Sequence, residues 1–153
     1  MTYHKTIEKL RSGSILVLDG GTGTELEKIH TDYLDAGADI ITTNSYSSSR
    51  LMLALSGHED NFLEINKKTI NAAQKARESS SKKDILIAGS LSHRGVLVEG
   101  TALPHAQDSK SFGRMENALT ELGSVLREEG CDFILLEMMY DPDRMKVAFS
   151  AAE

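Results

Sequence analysis

The sequence predicts an α/β protein of four consecutive strand–helix units, on three observations. Four segments built around apolar residues, 15–18, 39–44, 84–90 and 132–137, have strand length and are separated by segments with helical spacing. Glycines and N-cap residues punctuate the boundaries. The chain also echoes itself: Ala36-Gly37-Ala38-Asp39-Ile40-Ile41 and Glu129-Gly130-Cys131-Asp132-Phe133-Ile134 both read as helix end, glycine, spacer, aspartate and apolar strand. Continuous rather than alternating apolar strands, interleaved with helices, imply a parallel sheet with right-handed crossovers.

Taken in order, residues 4–12 form a short polar helix. The first strand, 15–18, ends at Asp19 and passes through Gly20-Gly21-Thr22-Gly23 into a helix opened by Thr24, with Thr24-Glu25-Leu26-Glu27 as a capping box. Leu26, Ile29, Tyr33 and Leu34 give that helix its apolar side, and Gly37 ends it. After the second strand and a serine-rich loop, residues 51–55 and 59–79 read as helical, the longer burying Phe62, Ile65, Thr69, Ala73 and Ala76. The third strand ends at Ser90 and is followed by a loop from 91 to about 112, long enough to be either functional or poorly ordered. Met115, Leu119, Leu122 and Leu126 mark the next helix, Gly130 caps it, and the fourth strand ends at Glu137. Asp141-Pro142 sets an N-cap and an N1 proline for a last helix.

Composition bounds the function. The chain has 153 residues with 40% hydrophobic content, which suits one domain spanning residues 1–153. Its net charge of −6 and the absence of any basic cluster beyond a pair argue against nucleic acid and anionic membranes as partners. No apolar run reaches membrane-spanning length and the first residues lack a signal-peptide core, so a cytoplasmic location is expected. The single cysteine, Cys131, fits a reducing compartment and cannot build a multi-cysteine zinc site.

The chemistry is expected at the strand ends. A parallel arrangement brings Asp19, Asn44, Ser90 and Glu137 to one edge, while Asp39, Asp84 and Asp132 fall at the opposite, structural end. Each is also a residue type that forms turns, so it is the combination that points to a site. His93 follows the third strand at that edge, whereas His30, His58 and His105 show no ligand spacing and read as surface residues. A dinucleotide-binding alternative starts from Gly21-Thr22-Gly23-Thr24-Glu25-Leu26, but Leu26 stands at the third glycine position and Asn44 where a ribose-binding acid is wanted.

The runs Leu18-Asp19-Gly20-Gly21-Thr22-Gly23-Thr24-Glu25-Leu26 and His30-Thr31-Asp32-Tyr33-Leu34-Asp35-Ala36-Gly37-Ala38-Asp39-Ile40-Ile41-Thr42-Thr43-Asn44-Ser45-Tyr46 resemble the homocysteine S-methyltransferase family. Ala88-Gly89-Ser90-Leu91 and Leu135-Leu136-Glu137 add matches in the right order. The resemblance implies a zinc-dependent (β/α)8 TIM-type barrel that moves a methyl group from S-methylmethionine, betaine or methylfolate to the sulfur of homocysteine. It implies that Asp19, Gly20, Gly21, Asn44 and Glu137 line the homocysteine pocket, with Glu137 on the amino group. The sequence departs from the family in lacking a longer segment between Lys28 and Ile29, and in carrying Ser92-His93-Arg94-Gly95 where Pro-Tyr-Gly is common. The family's zinc is held by three cysteine thiolates on later strands, which a chain with one cysteine does not contain.

The expectation is therefore a half-barrel: the first four βα units, carrying the substrate pocket without the metal-bearing half, and self-associating or pairing with a C-terminal half. A barrel of this kind needs about 250 residues. Three functional classes stay open: a fragmentary methyltransferase, a metal-free module binding an amino-acid thiol, and an open-sheet nucleotide binder.

Overall fold

The structure, a computed structural model, describes residues 3–19, 25–93 and 109–153. Gly20, Gly21 and the Thr24 capping position, with Gly95, Gly100, Pro104 and His105 of the long loop, lie outside the described residues. The architecture is α/β, as predicted. In chain order it runs α1 (Tyr3–Arg11), α2 (Leu26–Asp35), β1 (Ile40–Thr42), α3 (Arg50–Ala54), a 3-10 turn (Glu59–Asn61), α4 (Phe62–Ser79), β2 (Leu86–Ser92), α5 (Ser109–Glu128), β3 (Phe133–Glu137) and α6 (Pro142–Ala152). The sheet is parallel in the order β1-β2-β3. Strands neighbour in the sheet as they follow in the chain, so the described sheet has no point at which strand order reverses, the feature an open nucleotide-binding sheet uses.

The first predicted strand is reduced to one parallel bridge, Leu18 to Ile40. The reason lies in its partners: among the described residues it bonds on one side only, through Asp19 N to Ile40 O and Ile40 N to Val17 O, and Ile15 is 88% exposed. The third predicted strand slides two residues later, because its pairing with β3 runs on through Leu91↔Leu136 and Ser92↔Glu137. Helix α2 starts at Leu26, with Glu25 at the N-cap position and no side-chain cap bond. Gly37 (φ +106°) and Gly130 (φ +99°) take the left-handed conformation expected of residues that end helices.

The repeated aspartate has a physical role in register. Asp39 N donates to Val17 O and Asp39 Oδ2 accepts Val17 N; Asp132 N donates to Ile87 O at 2.8 Å and Asp132 Oδ2 accepts Ile87 N at 2.8 Å. Each aspartate thus grips both backbone groups of one residue on the preceding strand. Lys82 pairs with Asp39 and Arg77 with Asp132 at the same end.

Alternation along the strands separates two faces. Ile41, Ile87, Leu91, Ile134 and Leu136 pack outward against the helices, in clusters with Leu34 of α2, Ile70 and Ala73 of α4, Leu122 and Leu126 of α5 and Ala148 of α6. The other face carries Leu16, Ile40, Leu86, Ala88, Phe133 and Leu135, a cluster to which, among the described residues, no helix contributes. β2 is buried along its whole length, whereas every residue of β3 is half-exposed. Helix α4 buries Asn66 and Ile70 rather than the expected Ile65, which is half-buried beside α2.

Candidate functional site

The parallel strands bring Thr42, Ser90, Ser92 and Glu137 to one edge, and the register puts them on the same face as Ile40, Leu86, Ala88 and Leu135. Ser90 Oγ donates to Glu137 Oε2 in a short hydrogen bond that ties the ends of β2 and β3 together. Asn44 lies two residues beyond β1 and is half-exposed. Both its neighbours are pinned by a hydroxyl circuit. Ser45 Oγ donates to Ser90 O at 2.7 Å, Thr43 Oγ1 lies 2.8 Å from Ser45 Oγ, and Ser90 N donates to Thr43 Oγ1 at 3.1 Å. A second layer holds the loop beyond. Ser48 Oγ donates to Asn66 Oδ1 at 2.6 Å, and Asn66 Nδ2 returns a bond to Ser48 O at 3.0 Å. Only the polarity of the serine run hinted at these roles; Asn66, inside a helical pattern, gave no such signal.

Asp19 is placed differently from the other strand-end residues. Its side chain has no accessible surface; Oδ1 accepts Thr42 N at 2.7 Å and Oδ2 lies 2.9 Å from Nδ1 of His30, itself wholly buried on α2. The carboxylate therefore joins the end of the first segment to β1 and α2. His30, expected at the surface, is a core residue whose Nε2 has no hydrogen-bond partner among the described residues. Burying a carboxylate is costly unless its oxygens receive donors, and here each receives one.

His93 lies one residue beyond β2 and is fully buried. Its Nε2 accepts two backbone donors, Tyr140 N at 3.0 Å and Asp141 N at 3.2 Å, and its ring meets that of Tyr140 edge-on with centroids 4.6 Å apart. Burial is the main influence on this ring and lowers its pKa below the ordinary 6.5. Asp141 caps α6 by accepting Asp143 N and Arg144 N, as predicted, and Arg144 is buried with Nε 3.9 Å from Asp141 Oδ2.

The residues present do not fit a zinc site of three thiolates. Cys131 precedes β3, at the edge opposite Glu137, and burial pushes its thiol up to about 12, so it is protonated at neutral pH. Among the described residues no group of three His, Cys, Asp or Glu side chains is placed to hold a metal ion. An open groove between α2 and α4, lined in part by Leu26, Thr31, Ile65 and Thr69, lies on the outer helical layer. Among the described residues no helix is long and apolar enough to cross a membrane.

Comparison with known proteins adds two findings. The family profile described as homocysteine S-methyltransferase matches residues 8–153. The fold is similar to that of the homocysteine methyltransferase MmuM from Escherichia coli. Against its metallated form the TM-score is 0.72 at 18% identity, covering 95% of this chain and 61% of that one. Against the oxidized form the TM-score is 0.68 at 19% identity, covering 95% and 60%. The chain thus spans about three-fifths of the length of the enzyme it matches.

Proposed function

Because the chain belongs to the homocysteine S-methyltransferase family, we propose that it forms one wall of such a barrel and binds homocysteine at the carboxyl edge of its sheet. The observation that carries this is the Glu137–Ser90 pair on the sheet face that no described helix covers. With Oε2 held by the serine hydroxyl, Oε1 is available to accept from the substrate's α-ammonium group, a charge-assisted bond. Asn44, fixed between Thr43 and Ser45, offers a carboxamide to the substrate carboxylate. Asp19, held by Thr42 N and His30, anchors the segment that ends at the substrate edge. A helix-covered outer face, an inner face of Ile40, Leu86, Ala88, Phe133 and Leu135, and strands in chain order support the half-barrel reading.

The chemistry proposed for these residues is binding and orientation. Methyl transfer to the sulfur, giving methionine, also needs the thiol activated and a methyl donor seated opposite it. The family's zinc ligands are absent from these residues, so no transfer step is assigned to them.

Titration calorimetry with L-homocysteine against the wild-type chain and Glu137→Gln tests the reading. Saturable binding that weakens at least about tenfold in the variant, with an unchanged melting profile, is expected from loss of a bond to a charged group. Equal affinities, or no binding by the wild type, would overturn it.

A further inference from the structure

We infer that His93 is a positioning residue for the substrate edge: by accepting the Tyr140 and Asp141 N–H groups at one ring nitrogen, its neutral form fixes the turn that follows Glu137. The inference rests on the reading of Glu137 as a substrate ligand and adds a residue at a position where the chain departs from its family's usual sequence. Glu137 ends β3, and the chain turns at once through Met138, whose φ of +54° is unfavourable for a residue with a side chain. Tyr140 N also approaches Met138 O at 3.1 Å, so the turn is tight. It stays in place because its next two backbone donors end on His93 Nε2, at 3.0 and 3.2 Å, and because the Tyr140 ring packs edge-on against the imidazole. Asp141 then caps α6, so one imidazole sets both the exit from β3 and the start of the next helix.

An imidazole nitrogen that accepts hydrogen bonds carries no proton, so the proton of neutral His93 is on Nδ1, which is buried. Protonating Nε2 would turn an acceptor into a donor facing two donors. Among the described residues, the titratable or charged groups facing the ring are Tyr140 and Asp141 from the turn and Arg144 from α6. Burial, the largest influence, and Arg144 disfavour the charged ring and prevail over a backbone hydrogen bond at His93 and the Asp141 carboxylate, which favour it. The folded value is depressed, so the clamp is intact above pH 6.5 and is lost as pH falls through the folded value. Releasing it frees the turn next to Glu137 and loosens the Glu137–Ser90 pair.

The test combines two readouts on the 15N-labelled chain. Long-range 1H–15N correlation gives the His93 tautomer and its titration, alongside the amide shifts of Tyr140 and Asp141; calorimetry gives L-homocysteine affinity at pH 7.5 and at about one pH unit below the titration midpoint so found. The expected result is the Nδ1–H tautomer, proton uptake below pH 6.5, and Tyr140 and Asp141 amides that move with it. Affinity should fall roughly tenfold across that range in the wild type. It should stay nearly flat in His93→Gln, whose side-chain oxygen can accept in place of the ring, and be weak at both pH values in His93→Phe. An Nε2–H tautomer, amides indifferent to the ring, or wild-type affinity in His93→Phe with a cooperative melt would overturn the inference. If the amides follow the ring but Glu137→Gln binds normally, the clamp stands and only the ligand reading falls.

Discussion

Replacing Asp132 by alanine should cost about 1–4 kcal/mol, and the reason is local. Asp132 Oδ2 accepts Ile87 N at 2.8 Å, and Ile87 has no accessible surface, so the truncation leaves a buried donor without its acceptor. Such a loss costs about 1–3 kcal/mol. The ion pair to Arg77, at 3.1 Å and with about a third of each side chain exposed, adds only about 0.2–1 kcal/mol after solvent screening. The sum is a sizeable share of a domain's typical 5–15 kcal/mol. Urea unfolding of wild type, Asp132→Ala and Asp132→Asn measures it, the asparagine retaining an oxygen for Ile87 N and so recovering most of the loss. Asp39 provides the control. It makes the same two backbone bonds, but to Val17, which is 50% exposed, so water replaces the lost acceptor and Asp39→Ala should cost about 1 kcal/mol. Partial burial works against the Asp39 carboxylate, yet the Lys82 ammonium and Val17 N–H together hold it below 3.8. Its stabilisation is therefore present above pH 3.8 and is lost as pH falls through the folded value. Equal effects of Asp132→Ala and Asp132→Asn, or a loss at Asp39 as large as at Asp132, would refute the argument from buried donors.

Gly89→Ala should destabilise by about 1–3 kcal/mol, because a Cβ there would lie 3.1 Å from Leu126 Cβ and 3.3 Å from Cys131 Cβ, too close for a packed core. A thermal melt indistinguishable from wild type would show that α5 can move aside. The sheet margins predict self-association. Every residue of β3 is half-exposed, and Ile15, Val17 and Leu18 at the opposite margin are 88%, 50% and 42% exposed. Bare apolar edges of this kind invite pairing. Sedimentation at micromolar concentration should show dimers or larger species; a 16.7 kDa monomer with a sharp, cooperative melt would contradict it.

The sequence by itself determined what local chemistry and periodicity decide. The order of helices and strands, the left-handed glycines at 37 and 130, the Asp141–Pro142 helix start and the edge to which Asn44, Ser90 and Glu137 belong all follow from short-range rules. The family was legible too, because its motif residues are contiguous. Tertiary structure decided whatever depends on a partner distant in the chain. Residues 15–18 have the composition of a strand, yet with one neighbour only they form a single bridge. His30 is polar and unspaced, and only the return of Asp19 from 11 residues earlier makes it a core residue. Asn66 sits on an otherwise ordinary helix turn until Ser48 arrives from 18 residues away to use its carboxamide. His93 acquires a role only because Tyr140 and Asp141, 47 and 48 residues later, present two N–H groups to one nitrogen. A buried polar side chain must find partners, but a linear sequence specifies neither which residue supplies them nor from which direction.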